Sequence, residues 1–131
     1  MNWPQSPTDT QTQTQTSIVI VDDDPGFARA AAEMLADRGY RVLGRASTAA
    51  EALATCDRLN PDAVLLDVGL PDGDGVALVE RLHTRLNRPR ILLTSTDRTA
   101  VPPESVRQSG ASGFIAKTEL ARCDLDQFLK S

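Results

Sequence analysis

From Ser17 onward the chain alternates between two hydrophobic rhythms. Short, nearly continuous apolar runs occupy Ser17 to Val21, Arg41 to Arg45, Ala63 to Leu66, Arg90 to Leu93 and Gly113 to Ala116, the length and composition of buried strands. Between the first two runs, Phe27, Ala30, Ala31, Met34 and Leu35 recur at helical spacing, and Gly39 follows as a stop. A second helix is predicted from Thr48, which stands in capping-box relation to Glu51. It presents Ala52, Leu53, Cys56 and Leu59 on one face and ends at Asn60-Pro61. A third opens near Asp74 and is expected to bury Val76, Val79, Leu82 and Leu86; a fourth, short one runs from Pro103 to Gly110; a fifth covers Asp124 to Lys130. Strand and helix thus alternate five times.

That alternation predicts an α/β fold, a doubly wound parallel sheet with helices on both faces. For five strands the expected arrangement is flavodoxin-like, in the order 2-1-3-4-5, with ligands at the carboxyl ends of strands one and three. There strand one runs into Asp22-Asp23-Asp24 and strand three into Asp67. Like charges brought this close cannot all ionise without compensation, so a cation is implied. An all-oxygen ligand set suits a hard ion, and Mg2+ takes one or two carboxylates while keeping several waters. Asp24 is set apart from this cluster, because an aspartate before Pro25 is the expected helix N-cap. Strand four delivers Thr94-Ser95 and strand five Lys117, placing a hydroxyl and an ammonium at the same edge.

Composition narrows the reading further. At 131 residues and 40% apolar content the chain supports one domain with a real core. Residues 1–16, rich in Gln and Thr and carrying Trp3, Pro4 and Pro7, are too polar to offset ordering entropy and are expected to form a disordered tail before a domain at 17–131. No run nears the roughly 18 apolar residues needed to span a bilayer, and the N-terminus lacks a signal-peptide pattern; the expected setting is the cytoplasm, with no membrane contact. The net charge is −4 and the 14 Lys and Arg residues are scattered, so direct nucleic-acid binding by this chain is not expected. Cys56, Cys123 and the lone His83 read as packing residues.

Four segments carry a resemblance. Ile18 to Pro25 (Ile-Val-Ile-Val-Asp-Asp-Asp-Pro), Ala63 to Gly75, Leu92 to Ser95 and Gly110 to Lys117 are similar, in order and spacing, to the receiver domains of two-component response regulators. The resemblance implies that Asp67 is the phosphoacceptor, taking a phosphoryl group from a sensor histidine kinase or phosphotransfer protein. It implies that Asp23, Asp67 and the backbone carbonyl of Gly69 bind Mg2+, with Asp22 acting through water or in support. Lys117 and Thr94 would contact the phosphoryl group, and Thr94 with Phe114 would switch the face built from helix four, strand five and helix five. That face would act on a downstream effector or an output domain, and a phosphorylation-dependent dimer is compatible with it. One departure is that Thr118, not the family's usual proline, follows Lys117.

Rival readings are weaker on the same residues. A receiver-fold adaptor that works by binding alone has no chemical need for clustered acids. A phosphatase forming an aspartyl phosphate would want a second acid two residues on, where this chain has Gly69. Three aspartates after strand one would repel the phosphate of a flavin mononucleotide. The receiver part of a DNA-binding transcriptional regulator remains open as an alternative context.

Overall fold

The computed structural model describes residues 15–84 and 88–130. Among these, five parallel strands form one sheet: β1 (Ser17–Val21), β2 (Arg41–Ala46), β3 (Ala63–Asp67), β4 (Arg90–Ser95) and β5 (Gly113–Ala116), in the spatial order β2-β1-β3-β4-β5. This is the order expected from the alternation. The intervening helices are α1 (Pro25–Asp37), α2 (Ala49–Leu59), α3 (Gly75–His83) and α4 (Pro103–Ser109), and a short α5 (Asp126–Leu129) closes the described chain. The tail expected at residues 1–16 and Leu86 lie largely or wholly outside the described residues.

Side-chain alternation divides each strand between two cores. Val19, Val21, Val64, Leu66, Ile91 and Leu93 pack with Ala52 and Cys56 of α2 and Leu78, Val79 and Leu82 of α3. Ile18, Ile20, Leu65 and Leu92 face the other way, against Ala28, Ala31 and Leu35 of α1 and the C-terminal Leu120, Leu125 and Leu129. Cys56 and Cys123 consequently belong to opposite faces. His83 is half-buried, and burial with the nearby Arg88 charge holds its imidazole below the ordinary value. That agrees with a packing role.

The helix starts follow local chemistry. Asp24 Oδ1 accepts from the amides of Gly26 (3.0 Å) and Phe27 (3.3 Å), with Pro25 opening α1. Thr48 Oγ1 accepts from Glu51 N at 3.0 Å, and Glu51 reaches back to the amide of Ser47, one residue earlier than in the usual box. Asp72, from the loop after β3, adds a second cap to α2 by accepting from Ala49 N (2.7 Å) and Ala50 N (3.1 Å). Asn60 ends α2 in the left-handed region at φ 52°.

Two expectations are corrected. In α3 the buried positions are Leu78, Val79 and Leu82, with Val76 only partly covered, because the helix is phased by Gly75 lying against the Asp67 backbone. The fifth helix does not run from Asp124 to Lys130. Residues Lys117–Arg122 form a 3-10 helix, Cys123 is extended, and α5 is four residues long. Tertiary bonds hold the segment: the Arg38 guanidinium donates to the carbonyls of Ala121 and Cys123, and the Tyr40 hydroxyl donates to the Asp126 carboxylate. The two carbonyls are thereby satisfied from outside the segment, and the Asp126 carboxylate is tied to Tyr40 at the start of α5.

Candidate functional site

The carboxyl edge of the sheet gathers the acids. β1 ends at Val21 and β3 at Asp67 itself, and the two strands are direct neighbours, which places Asp22, Asp23 and Asp67 side by side. Each offers one carboxylate oxygen, and the three oxygens lie within 4.8 Å of one another. Asp22 and Asp67 are buried (3% and 7% exposed), while Asp23 faces solvent. Gly75 permits this packing: a Cβ there would meet the Asp67 carbonyl oxygen at 2.5 Å, so only glycine lets α3 approach so closely.

Lys117 opens the 3-10 helix directly after β5 and reaches into the acids despite the non-proline residue that follows it; no cis peptide bond occurs among the described residues. Its Nζ lies 2.7 Å from Asp22 Oδ2 and 3.8 Å from Asp67 Oδ2, and it stands 4.3 Å from the centroid of the Phe27 ring. Asp22 Oδ1 accepts from the amide of Asp24 at 2.9 Å, and Asp67 Oδ1 accepts from Gly69 N at 3.2 Å. Burial pushes the Asp67 carboxyl above its ordinary value, with Asp22 and Asp23 adding to the effect and the Gly69 amide and Lys117 opposing it. One cation among three carboxylates leaves the edge electron-rich.

Thr94 is the register partner of Asp67 across the β3–β4 pair and is fully buried. Its Oγ1 finds no hydrogen-bond partner among the described residues. A buried hydroxyl on the strand neighbour of Asp67, without a protein partner among the described residues, can donate to an oxygen brought to this edge. The set fits a hard divalent ion: all-oxygen donors, excess negative charge, and one exposed carboxylate through which an ion can enter.

Over residues 18–129 the chain matches the response regulator receiver domain. It belongs to that family. The receiver is 33% identical over 112 residues to the transcriptional regulatory protein KdpE of Mycobacterium tuberculosis, covering 86% of this chain and 47% of that protein. To the DNA-binding transcriptional activator DevR/DosR of the same species it is 34% identical over 114 residues, covering 83% and 52%. A LuxR-family two-component response regulator from Aurantimonas sp. SI85-9A1 superposes with a TM-score of 0.72 at 26% identity, covering 82% of this chain and 81% of that one. The receiver spans about half the length of the curated relatives it matches.

Of the remaining expected residues, Gly69 touches the acids and Phe114 sits apart from them. Gly69 is exposed, its amide committed to Asp67, in a two-residue ladder that pairs Gly69–Leu70 with Gly73–Asp74. Phe114 lies in β5 opposite Leu93, half-buried, and lines a groove of about 660 Å³ with Val101, Pro102 and Val106. Sequence reasoning missed Gly75, Asp72 and the ring of Phe27. The Gly-Asp-Gly run after Asp67 was the one available signal for Gly75.

Proposed function

We propose that Asp67 is the phosphoacceptor of this receiver and that Mg2+ bound at the acidic edge is required for the transfer. The observation that carries the reading is the meeting of three carboxylates and one ammonium at the switch of the sheet, with the buried hydroxyl of Thr94 on the residue in register with Asp67. In the reaction, an Asp67 carboxylate oxygen attacks the phosphorus of a phosphohistidine on a sensor kinase or phosphotransfer protein. The P–O bond forms as the P–N bond breaks, and the imidazole leaves with the electron pair. Mg2+ supplies charge neutralisation to the phosphoryl oxygens.

Asp23, Asp67 and the Gly69 carbonyl hold the ion in this reading, with Asp22 supporting through water. Asp22 also anchors Lys117, whose ammonium stands close enough to Asp67 to pair with a phosphoryl oxygen there. Thr94 donates its idle hydroxyl to another. Moving Thr94 with its loop vacates space toward which Phe114 turns, and the face of α4, β5 and the C-terminal segment becomes the readout. The relatives are transcriptional regulators, and this favours transcriptional control through a partner or output domain as the downstream effect.

Intact-mass measurement after incubation with acetyl phosphate tests the reading. A gain of one phosphoryl mass is expected with Mg2+, none with chelator, and none in Asp67→Asn. Equal modification with and without Mg2+ would overturn the metal requirement.

A further inference from the structure

Lysine is a poorly preorganised cation: its charge rides on a flexible four-carbon stem with several rotamers to lose. At this site the stem must deliver Nζ to one place, between Asp22 and Asp67. The two acids attract the ammonium from one side. On another side stands the ring of Phe27, 4.3 Å from Nζ to centroid, within the range at which the negative face of an aromatic ring attracts a cation. The Lys117 side chain is only 12% exposed, so the attraction operates where water competes weakly.

The ring is itself fixed by the start of α1. Pro25 opens the helix, and Asp24 Oδ1 accepts from the amides of Gly26 and Phe27, so the backbone under the ring is pinned in the first turn. The ring also rests on the apolar core beneath α1 and the C-terminal segment. A side chain needed only to cover that core could be leucine. One that must hold an ammonium needs a π face.

We infer that Phe27 is a positioning residue, holding the Lys117 ammonium by a cation–π contact at the edge where the phosphoryl group arrives. The inference rests on the role proposed for Lys117 and adds the element that orients it. Phe27 touches no reacting atom. Its effect passes through Lys117: with the ring in place, the ammonium stays at the acids when they are drawn toward a bound ion; without it, the stem is free to swing toward solvent.

Two measurements on the full chain decide it. Nuclear magnetic resonance of the ε-methylene protons of Lys117 is expected to show ring-current displacement in the wild type, retained in Phe27→Tyr and lost in Phe27→Leu. The rate of phosphorylation by acetyl phosphate at saturating Mg2+ is expected to fall roughly threefold to tenfold in Phe27→Leu and to stay near wild type in Phe27→Tyr. Progressively fluorinated phenylalanines at position 27 keep the shape while draining the π face, and the rate should decline in step. A purely structural role would not follow that series. Undisplaced Lys117 resonances in the wild type, or wild-type rates across the leucine and fluorinated variants, would overturn the inference. If no chain is phosphorylated, wild type included, the reading of Asp67 fails, while the resonance measurement still decides whether Phe27 holds Lys117.

Discussion

The two ends of the sheet treat polar groups in opposite ways. At the amino edge, Ser17 N and Oγ both donate to Asp62 Oδ2 (2.9 and 3.0 Å), and Asp62 N donates back to Ser17 Oγ at 2.9 Å. Arg90 ties the same edge to its neighbours, its amide donating to the Asp62 carbonyl and its Nε to the Phe128 carbonyl, each at 3.0 Å. Every one of these groups has a partner. At the carboxyl edge, three carboxylates crowd together, one of them with its pKa raised by burial, and the Thr94 hydroxyl has no hydrogen-bond partner among the described residues. Satisfied networks hold a fold together, whereas unsatisfied buried groups persist where a ligand completes them. The contrast teaches which end is scaffold and which is chemistry.

The largest effect is expected on reactivity: Asp23→Ala should remove nearly all Mg2+-dependent phosphorylation, measured by intact mass, because it takes away the one exposed carboxylate of the cluster. Next comes stability. Mg2+ at a hundredfold excess over its Kd should raise the free energy of unfolding by about 2.7 kcal/mol, read by denaturant titration, and Asp23→Ala should forfeit most of that gain.

Asp67→Asn is expected to raise the stability of the metal-free protein, by less than Mg2+ does. The sign follows from the raised pKa: ionising Asp67 penalises the folded state, a penalty present above the folded-state pKa and lost as pH falls through it. The advantage of the asparagine variant should therefore shrink on acidification.

Two smaller substitutions set the edges directly against each other. Ser17→Ala orphans the Asp62 amide and strips one bond from its carboxylate, leaving the bond from the residue 17 amide, and should cost about 1–2 kcal/mol while leaving phosphorylation intact. Thr94→Val removes a buried hydroxyl without a partner among the described residues, and should leave stability unchanged or raise it by up to about 1 kcal/mol, while uncoupling phosphorylation from any change around Phe114. A loss of stability in Thr94→Val equal to that in Ser17→Ala would erase the distinction between the two ends.

Much of this was legible from residues because it is local. Strand positions, the Asp24-Pro25 start of α1, the Thr48 cap and the convergence of Asp22, Asp23, Asp67, Thr94 and Lys117 follow from periodicity, capping chemistry and the winding of a parallel sheet. What escaped depends on contacts between distant segments. The fifth helix expected from Asp124 is shortened to Asp126–Leu129, and the segment before it is held by Arg38, some eighty residues earlier, through the Ala121 and Cys123 carbonyls. The phase of α3 is decided by the approach of Gly75 to Asp67, and the ring over Lys117 by the meeting of α1 with the end of β5. No local pattern announces such contacts.

The most direct test of the acidic edge as the site of an acyl phosphate is to locate it chemically. After reaction with acetyl phosphate and Mg2+, borohydride reduces an aspartyl phosphate to homoserine, and peptide mapping finds the altered position. Homoserine is expected at position 67 alone, dependent on Mg2+. Conversion elsewhere, or a phosphorylated chain with position 67 unaltered, would contradict the assignment of Asp67.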